Sequence, residues 1–228
     1  MLGHRGLRRT GLRAVTSDFP VENSLQAFEH ALSQGCDGFE FDVRYTRDGR
    51  NVLWHDSKFD GKEIASTEYA GLRDRAGGGL PTLEDVLQQF AERAYFDIEL
   101  KVVGRENGVV AALKDKPPQR GYVASSFLPE VLQRLHHAND QIPLGYICER
   151  GDWMERWREL PIRVFLPRLD LVQPQLVEDV HGRGLQIMTW TVNSLRRMQQ
   201  LAGWGVDGLI SDDPGLLFRT VGAGVTGA

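Results

Sequence analysis

Cysteine is nearly absent: the 228 residues hold only Cys36 and Cys148. They lie far apart and neither has metal-ligand spacing, so neither a disulfide framework nor a thiolate metal site is expected, and both read as reduced thiols. Long apolar runs are missing as well. No eighteen-residue apolar stretch occurs, so neither a membrane span nor stable membrane insertion is expected. The chain starts almost directly on its first strand, which leaves no room for a signal peptide and points to a cytoplasmic protein. Charge of one sign is scarce. The formal net charge of −4 gives no electrostatic footprint for nucleic acid or an anionic membrane surface. No repeat, linker or low-complexity segment divides the chain, so residues 1–228 are expected to form one domain.

What is present is an alternation of strand and helix signals. Strands are expected to end near His4 and to cover 38–44, 94–100, 121–125, 143–147, 163–166, 185–192 and 208–211. Helices are expected over 24–34, 129–137, 174–182 and 194–204, from Pro81-Thr82 onward, and from Pro214. Thr82 and Asp85 have capping-box spacing. Trp153, Trp157 and Leu160 recur at helical spacing and read as a helix packing on its neighbours rather than an aromatic binding site. The turn at 47–50 leads to a short extra strand at 52–55. Eight strand-helix units in this length predict a (β/α)8 TIM barrel, an α/β fold. Doubly wound sheets share the alternation, but the turn after strand one reads His-Arg-Gly and not G-x-G-x-x-G. Two irregular segments, 7–21 and 56–80, follow strand ends on one rim. The second is a short cap-like insertion after the second strand, expected to form a small mobile flap.

Two strands break the pattern of a core strand. Phe39-Glu40-Phe41-Asp42-Val43 puts Glu40 and Asp42 on one face, and Phe96-Asp97-Ile98-Glu99-Leu100-Lys101 puts Asp97, Glu99 and Lys101 on one face. Adjacent carboxylates repel, and a hard divalent cation with oxygen ligands would offset that. Pairing with arginine is the plainer alternative, since Arg44 shares the face of Asp42. Lys101 could likewise simply bridge Glu99 to Glu40.

Seven short motifs then occur in order: Gly3-His4-Arg5-Gly6, Glu22-Asn23-Ser24, Glu40-Phe41-Asp42, His55-Asp56, Pro81-Thr82-Leu83, Glu99-Leu100-Lys101, and Gly205-Val206-Asp207-Gly208 with Asp212 and Pro214. Each is weak alone; in this order, from His4 to about Leu217, the chain resembles the glycerophosphodiester phosphodiesterases. The resemblance implies a TIM barrel that hydrolyses glycerophosphodiesters to sn-glycerol 3-phosphate and an alcohol. It implies that Glu40, Asp42 and Glu99 bind one divalent metal ion, Mg²⁺ or Ca²⁺. His4 and His55 would be general acid and base, and Arg5 and Lys101 would hold the phosphate. Glu22 and Asn23 would stand close to the metal and His4, and Trp190 would line the glycerol end, although it also reads as plain barrel packing. The second motif departs from the family pattern, with Val21 where proline is expected and Ser24 for threonine. The loop before it is long and basic, with Arg8, Arg9 and Arg13, and the stretch from His55 to Pro81 is short.

The chemistry is coherent without the family. The three carboxylates, Arg5, Lys101, a divalent ion and a phosphodiester anion balance in charge, as attack on an anionic ester requires. Arg5 can grip two oxygens while Lys101 acts as a point charge. Two histidines suit proton transfer near neutral pH. Attack by a substrate hydroxyl, giving a cyclic phosphate, and attack by water both stay open. So do a phospholipase D-like activity on lysophospholipids or sphingomyelin, a catalytically silent phosphate-binding barrel, and a homodimer. His30, His136, His137 and His181 sit on helix patterns and are expected at the surface.

Overall fold

The computed structural model describes residues 1–7 and 20–222. The basic loop with Arg8, Arg9 and Arg13 lies outside the described residues. Eight parallel strands close into a TIM barrel: β1 (Leu2–Gly3), β2 (Gly38–Tyr45), β6 (Tyr95–Leu100), β7 (Tyr122–Ser126), β8 (Leu144–Cys148), β9 (Val164–Pro167), β10 (Gln186–Thr189) and β11 (Gly208–Ser211). The two-residue β1 pairs with both β2 and β11 and so makes the seam. A short strand β3 (Asn51–Leu53) runs antiparallel to the end of β2. Gly38 is required at the start of β2, because a Cβ there would lie 1.8 Å from the Tyr95 carbonyl oxygen.

Helices fill the outer layer: α1 (Leu25–Ser33), α2 (Tyr69–Arg75), α3 (Leu83–Phe90), α4 (Glu106–Asp115), α5 (Pro129–Ala138), α6 (Pro174–His181), α7 (Leu195–Gly203) and α8 (Pro214–Val221). The caps are those the sequence offers. Ser24 caps α1, and Thr82 with Asp85 forms a complete capping box on α3. Outward-facing Phe39, Phe41 and Phe96 pack with Phe28 of α1 and Phe90 of α3 in one aromatic cluster. Inside the barrel, Leu2, Val123, Ile147, Val164, Leu166, Met188 and Ile210 form a separate apolar plug. Strands β2 and β6 contribute carboxylates to the interior instead. Both cysteines are buried and unbridged.

Three expectations change. The Trp153, Trp157 and Leu160 stripe is not an α-helix but a run of 3-10 turns over Gly151–Glu159. Only Trp157 is fully buried, stacked on Phe165 at 5.5 Å. Helix α4 follows β6 where no helix is expected, because Arg105 at its start gives no capping signal. The segment 56–80 is built rather than loose. It holds a hairpin of β4 (Lys58–Phe59) and β5 (Lys62–Glu63), a 3-10 turn over Ile64–Ser66, and α2. Val52, Ile64, Leu72 and Leu80 give it a small core of its own, with Trp54 and Phe59 edge-to-face at 4.7 Å.

Candidate active site

The register of β2 against β6 sets Glu40 beside Asp97 and Asp42 beside Glu99. Side chains alternate between faces, so four carboxylates point into the barrel together. One oxygen each of Glu40, Asp42 and Glu99 lies within 4.8 Å of the others. Lys101 Nζ sits 2.8 Å from Asp42 Oδ1 and 2.5 Å from Glu99 Oε1. The lysine therefore bridges Glu99 to Asp42 rather than to Glu40. Its backbone N–H bonds the Val43 carbonyl, which sets its side chain level with Asp42. Arg44 is not the partner of these carboxylates; its Nε donates to the His55 carbonyl at 2.8 Å.

The Gly3-His4-Arg5-Gly6 turn folds over this cluster. Gly6 has φ +77°, and a Cβ on Gly3 would lie 2.1 Å from the Gly6 carbonyl oxygen, so both ends of the turn need glycine. Arg5 takes the left-handed region at φ 51°. Its backbone N–H donates to Glu40 Oε2 at 2.9 Å and its Nη1 to Glu22 Oε1 at 2.7 Å. Arg5 Nε lies 3.1 Å from Asp42 Oδ2 as an ion pair without hydrogen-bond geometry. Asn23, also left-handed at φ 57°, donates from Nδ2 to Asp42 Oδ2 at 2.8 Å and accepts from the Asp42 N–H at 3.1 Å. Glu22 and Asn23 thus hold Arg5 and Asp42.

Each histidine is anchored through Nδ1. His4 Nδ1 is 2.6 Å from Asp212 Oδ1, and its Nε2 is 3.8 Å from Glu40 Oε2. His55 Nδ1 is 2.7 Å from Asp56 Oδ1. Asp212 stands in the sequence only as part of a motif, because a partner across the barrel is invisible to strand periodicity. Asp97 shows there on the charged face of its strand, but with no role of its own. His136, His137 and His181 are exposed and His30 half-buried, all on helices away from the cavity.

Burial and the neighbouring Asp42, Glu99 and Asp97 charges hold the Glu40 carboxyl well above the usual carboxylate range. Burial pushes Asp97 up to about 7 although Ser125 donates to it, and pushes Glu99 up to about 7 against the pull of Lys101. Burial works against Asp42 too, but Lys101 and Arg5 outweigh it and hold Asp42 at about 2. Burial lowers the His55 imidazole below its ordinary value against the opposing Asp42 charge. Burial and mutual repulsion disfavour the charged forms of these carboxyls, and a bound cation would offset both. Glu40 Oε1 is buried with no hydrogen-bond partner, and the donor set is all oxygen. Both features fit a hard divalent ion.

His4, Arg5, Glu40, His55, Glu99 and Lys101 line one cavity of about 510 Å³, with Asp42 buried beneath it. The cavity lies at the C-terminal end of the barrel, the rim on which such barrels place their sites. Its far wall is mostly apolar, with Phe127, Leu128, Ile147, Trp153, Leu166 and Trp190, and carries Glu149 and Arg156 beside Trp153. Trp190 follows β10 directly, since that strand ends at Thr189 and does not reach 192. Its Nε1 donates to the Leu166 carbonyl at 2.9 Å, and its ring meets Phe127 edge-on at 5.4 Å. Trp153 reaches the cavity from the 3-10 run, so that stripe both packs and lines a site. No residue of 56–80 lines the cavity.

Residues 4–216 match the model of the glycerophosphoryl diester phosphodiesterase family. A glycerophosphodiester phosphodiesterase of Caldanaerobacter subterraneus subsp. tengcongensis is 28% identical over 89% of this chain and 93% of its own. A crystal structure of a glycerophosphodiester phosphodiesterase from Parabacteroides distasonis superimposes with TM-score 0.85 at 25% identity, covering 99% of this chain and 97% of that one. An Oleispira antarctica phosphodiesterase in complex with its product sn-glycerol-3-phosphate shares the fold, with TM-score 0.80 and 23% identity over 97% and 96% of the two chains.

Proposed function

The chain belongs to the glycerophosphoryl diester phosphodiesterase family, and on that premise we propose that it hydrolyses glycerophosphodiesters to sn-glycerol 3-phosphate and an alcohol by metal-assisted general acid/base catalysis. One observation carries the reading: a three-carboxylate cluster, two Nδ1-anchored histidines and two cationic side chains converge on one cavity. Glu40, Asp42 and Glu99 would hold one Mg²⁺ or Ca²⁺ ion. Bound there, the ion would neutralise phosphoryl charge as a Lewis acid.

The remaining work falls to the chain. Arg5 and Lys101 bind the phosphate, the first through its forked N–H groups and the second as a point charge. With Nδ1 turned to a carboxylate, each neutral imidazole carries its proton on Nδ1 and keeps a lone pair on Nε2. His55, whose proton affinity burial lowers, is assigned the base: Nε2 takes the proton of the attacking oxygen, from a substrate hydroxyl or water. His4 is assigned the acid: entering as the imidazolium, it gives its Nε2 proton to the departing alcohol oxygen as that oxygen's bond to phosphorus breaks, and is left neutral with its proton on Nδ1. Where a substrate hydroxyl has attacked, water then opens the cyclic phosphate with the two roles exchanged. Glu22 and Asn23 keep Arg5 and Asp42 in place. Trp190, with the apolar wall, takes the glycerol side and excludes water.

A second reading, hydrolysis of a lysophospholipid, draws on the apolar wall and on Leu128, which is exposed at its edge. A silent binding barrel is disfavoured, because a binder has no use for two oriented imidazoles. The test is incubation with glycerophosphocholine and with lysophosphatidylcholine, with EDTA and with Mg²⁺ or Ca²⁺ restored, following choline and both phosphate-bearing products. The reading expects choline and sn-glycerol 3-phosphate from the first substrate, only with metal. Full activity after exhaustive chelation removes the metal, and a metal-loaded enzyme inert on both substrates removes the reading.

A further inference from the structure

His4 is held differently from His55. The Asp56 partner of His55 is exposed, whereas His4 is tied into a chain of residues from three barrel elements. Asp212 Oδ1 takes His4 Nδ1 at 2.6 Å, and Asp212 Oδ2 accepts from Asn193 Nδ2 at 2.6 Å. Asn193 Oδ1 in turn accepts from the Asp212 backbone N–H at 2.9 Å and from the Ser211 hydroxyl at 3.1 Å. His4 and Asp212 are only 8% and 7% exposed, so water does not compete for these bonds. The chain crosses the barrel seam. His4 follows β1, Asp212 follows β11, and Asn193 stands in the loop after β10. With only two residues, β1 can do little to aim a side chain that leaves its end.

We propose that Asp212 and Asn193 are positioning residues for His4, fixing its tautomer and aiming Nε2 at the reacting phosphate. A carboxylate oxygen only accepts, so a hydrogen bond at 2.6 Å requires the neutral imidazole proton on Nδ1. That leaves Nε2, which faces the Glu40 side of the cavity, as the nitrogen that exchanges a proton with substrate. Asn193 clamps Asp212 from two sides, through the side-chain oxygen and the backbone N–H, so the carboxylate cannot rotate away. The same arrangement ties the end of the shortest strand to its neighbour across the seam, next to the bond from the His4 N–H to the Ser211 carbonyl at 2.8 Å. A group that must meet a reacting atom within a fraction of an ångström gains most from such a second layer.

This rests on the phosphodiesterase reading for what His4 does, but not for how it is held. In Asp212→Asn the amide can turn its NH₂ toward His4 and favour the Nε2–H tautomer. The reading expects kcat on glycerophosphocholine to fall roughly 10²–10³-fold with KM within about threefold. Asn193→Ala leaves the carboxylate but frees it to turn, and kcat should fall about three- to tenfold. The second readout needs no substrate. In ¹⁵N-edited spectra of the metal-loaded protein, neutral wild-type His4 should carry its proton on Nδ1. Asp212→Asn should shift that proton wholly or partly to Nε2, and Asn193→Ala should show mixed tautomers. If Asp212→Asn fails to fold, the Asn193→Ala spectrum decides. A wild-type His4 protonated on Nε2, or variants with unchanged tautomer and unchanged kcat, overturns the proposal. A wild-type enzyme inert toward every phosphodiester but with the Nδ1–H tautomer would remove the function and leave the positioning intact.

Discussion

The cavity has two unlike walls. The ends of β1, β2 and β6, with the loop after β3, carry His4, Arg5, Glu40, Glu99, Lys101 and His55. The ends of β7 to β10 carry Phe127, Ile147, Leu166 and Trp190. The charged wall is a network in which almost every group touches another of opposite sign. The apolar wall joins the barrel plug, and its charge is confined to Glu149 and to Arg156, which lies over the Trp153 ring. The difference separates two jobs. Chemistry on a phosphodiester needs charges fixed in advance. Recognition of the organic part needs shape and a dry surface, which also strengthens the electrostatics opposite by excluding water.

The largest effect should come from removing charge at the metal site. Glu99→Gln or Asp42→Asn should lower kcat/KM at least about 10⁴-fold, since losing the ion forfeits several kcal/mol of charge stabilisation. Chelated wild-type enzyme should fall by as much, and added Mg²⁺ or Ca²⁺ should rescue it but not the variants. Less than a tenfold loss in both variants would move the metal elsewhere.

Next comes His55. His55→Ala should lower kcat by about 10²–10⁴-fold without unfolding the protein, because the side chain is half-exposed on the rim. The sign of its pH effect follows from burial, which holds its pKa below the ordinary histidine value. The base works when neutral, so the acid limb of kcat/KM should fall as pH drops through a pKa under about 6.5. An acid limb centred above that value would assign the base to another group.

The two walls also differ in how legible they are in the sequence. Glu40, Asp42, Asp97, Glu99 and Lys101 stand out because charge on an inward strand face breaks the apolar pattern of a core strand. Phe127, Leu166 and Trp190 do not, because an apolar residue at a strand end looks the same whether it packs or binds. Partners across the barrel, such as Asp212 for His4, depend on closure, and no local period encodes that. The barrel itself is legible, since most of its helices announce their start with a capping side chain or an early proline. Two features are not legible: α4, which has no capping side chain, and the small core of 56–80, whose Ile64, Leu72 and Leu80 are spaced too widely for one period.

Asp97 tests the cost of crowding carboxylates into one wall. Its folded pKa of about 7 lies above the unfolded value, so its ionised form opposes folding. That penalty is absent below about pH 4, grows as pH rises through the window, and is complete above about 7. Metal-free enzyme should therefore gain thermal stability as pH falls from 8 to 6. Asp97→Asn should be more stable than wild type at pH 8, by on the order of a few kcal/mol at most, and should flatten that slope. Denaturation by heat in EDTA at several pH values reads this. A Tm slope unchanged by the substitution would assign the proton uptake to Glu40 and Glu99 alone.

The apolar wall should give smaller, differently shaped effects. Trp190→Ala removes an indole that covers the cavity and meets Phe127. It should raise KM about tenfold, near 1.4 kcal/mol of lost binding, with kcat within about threefold. A fall in kcat as large as that of His55→Ala would mean that the wall positions the reacting atoms and does not merely hold the substrate.

The smallest effect on activity should come from the body of the insertion at 56–80, which lines no part of the cavity and meets the charged wall through Asp56 on His55. A lid would add contacts to the remote part of a substrate and exclude water. Here the hairpin and α2 bury their apolar side chains in a separate core with Val52, and none of their residues lines the cavity. Leu72 is fully buried in that core, so Leu72→Ala should cost roughly 2–5 kcal/mol of stability. The same variant should keep kcat/KM within about twofold for glycerophosphocholine, glycerophosphoethanolamine and glycerophosphoglycerol. The native insertion should discriminate little among these alcohols, holding their values within about tenfold of one another. Two measurements sharpen the contrast: chemical denaturation of Leu72→Ala, and its kcat/KM on the three substrates. A tenfold loss of kcat/KM with stability intact would make the insertion a working lid. A preference above about a hundredfold for one headgroup, near 2.7 kcal/mol, abolished in the variant, would make the insertion a third wall.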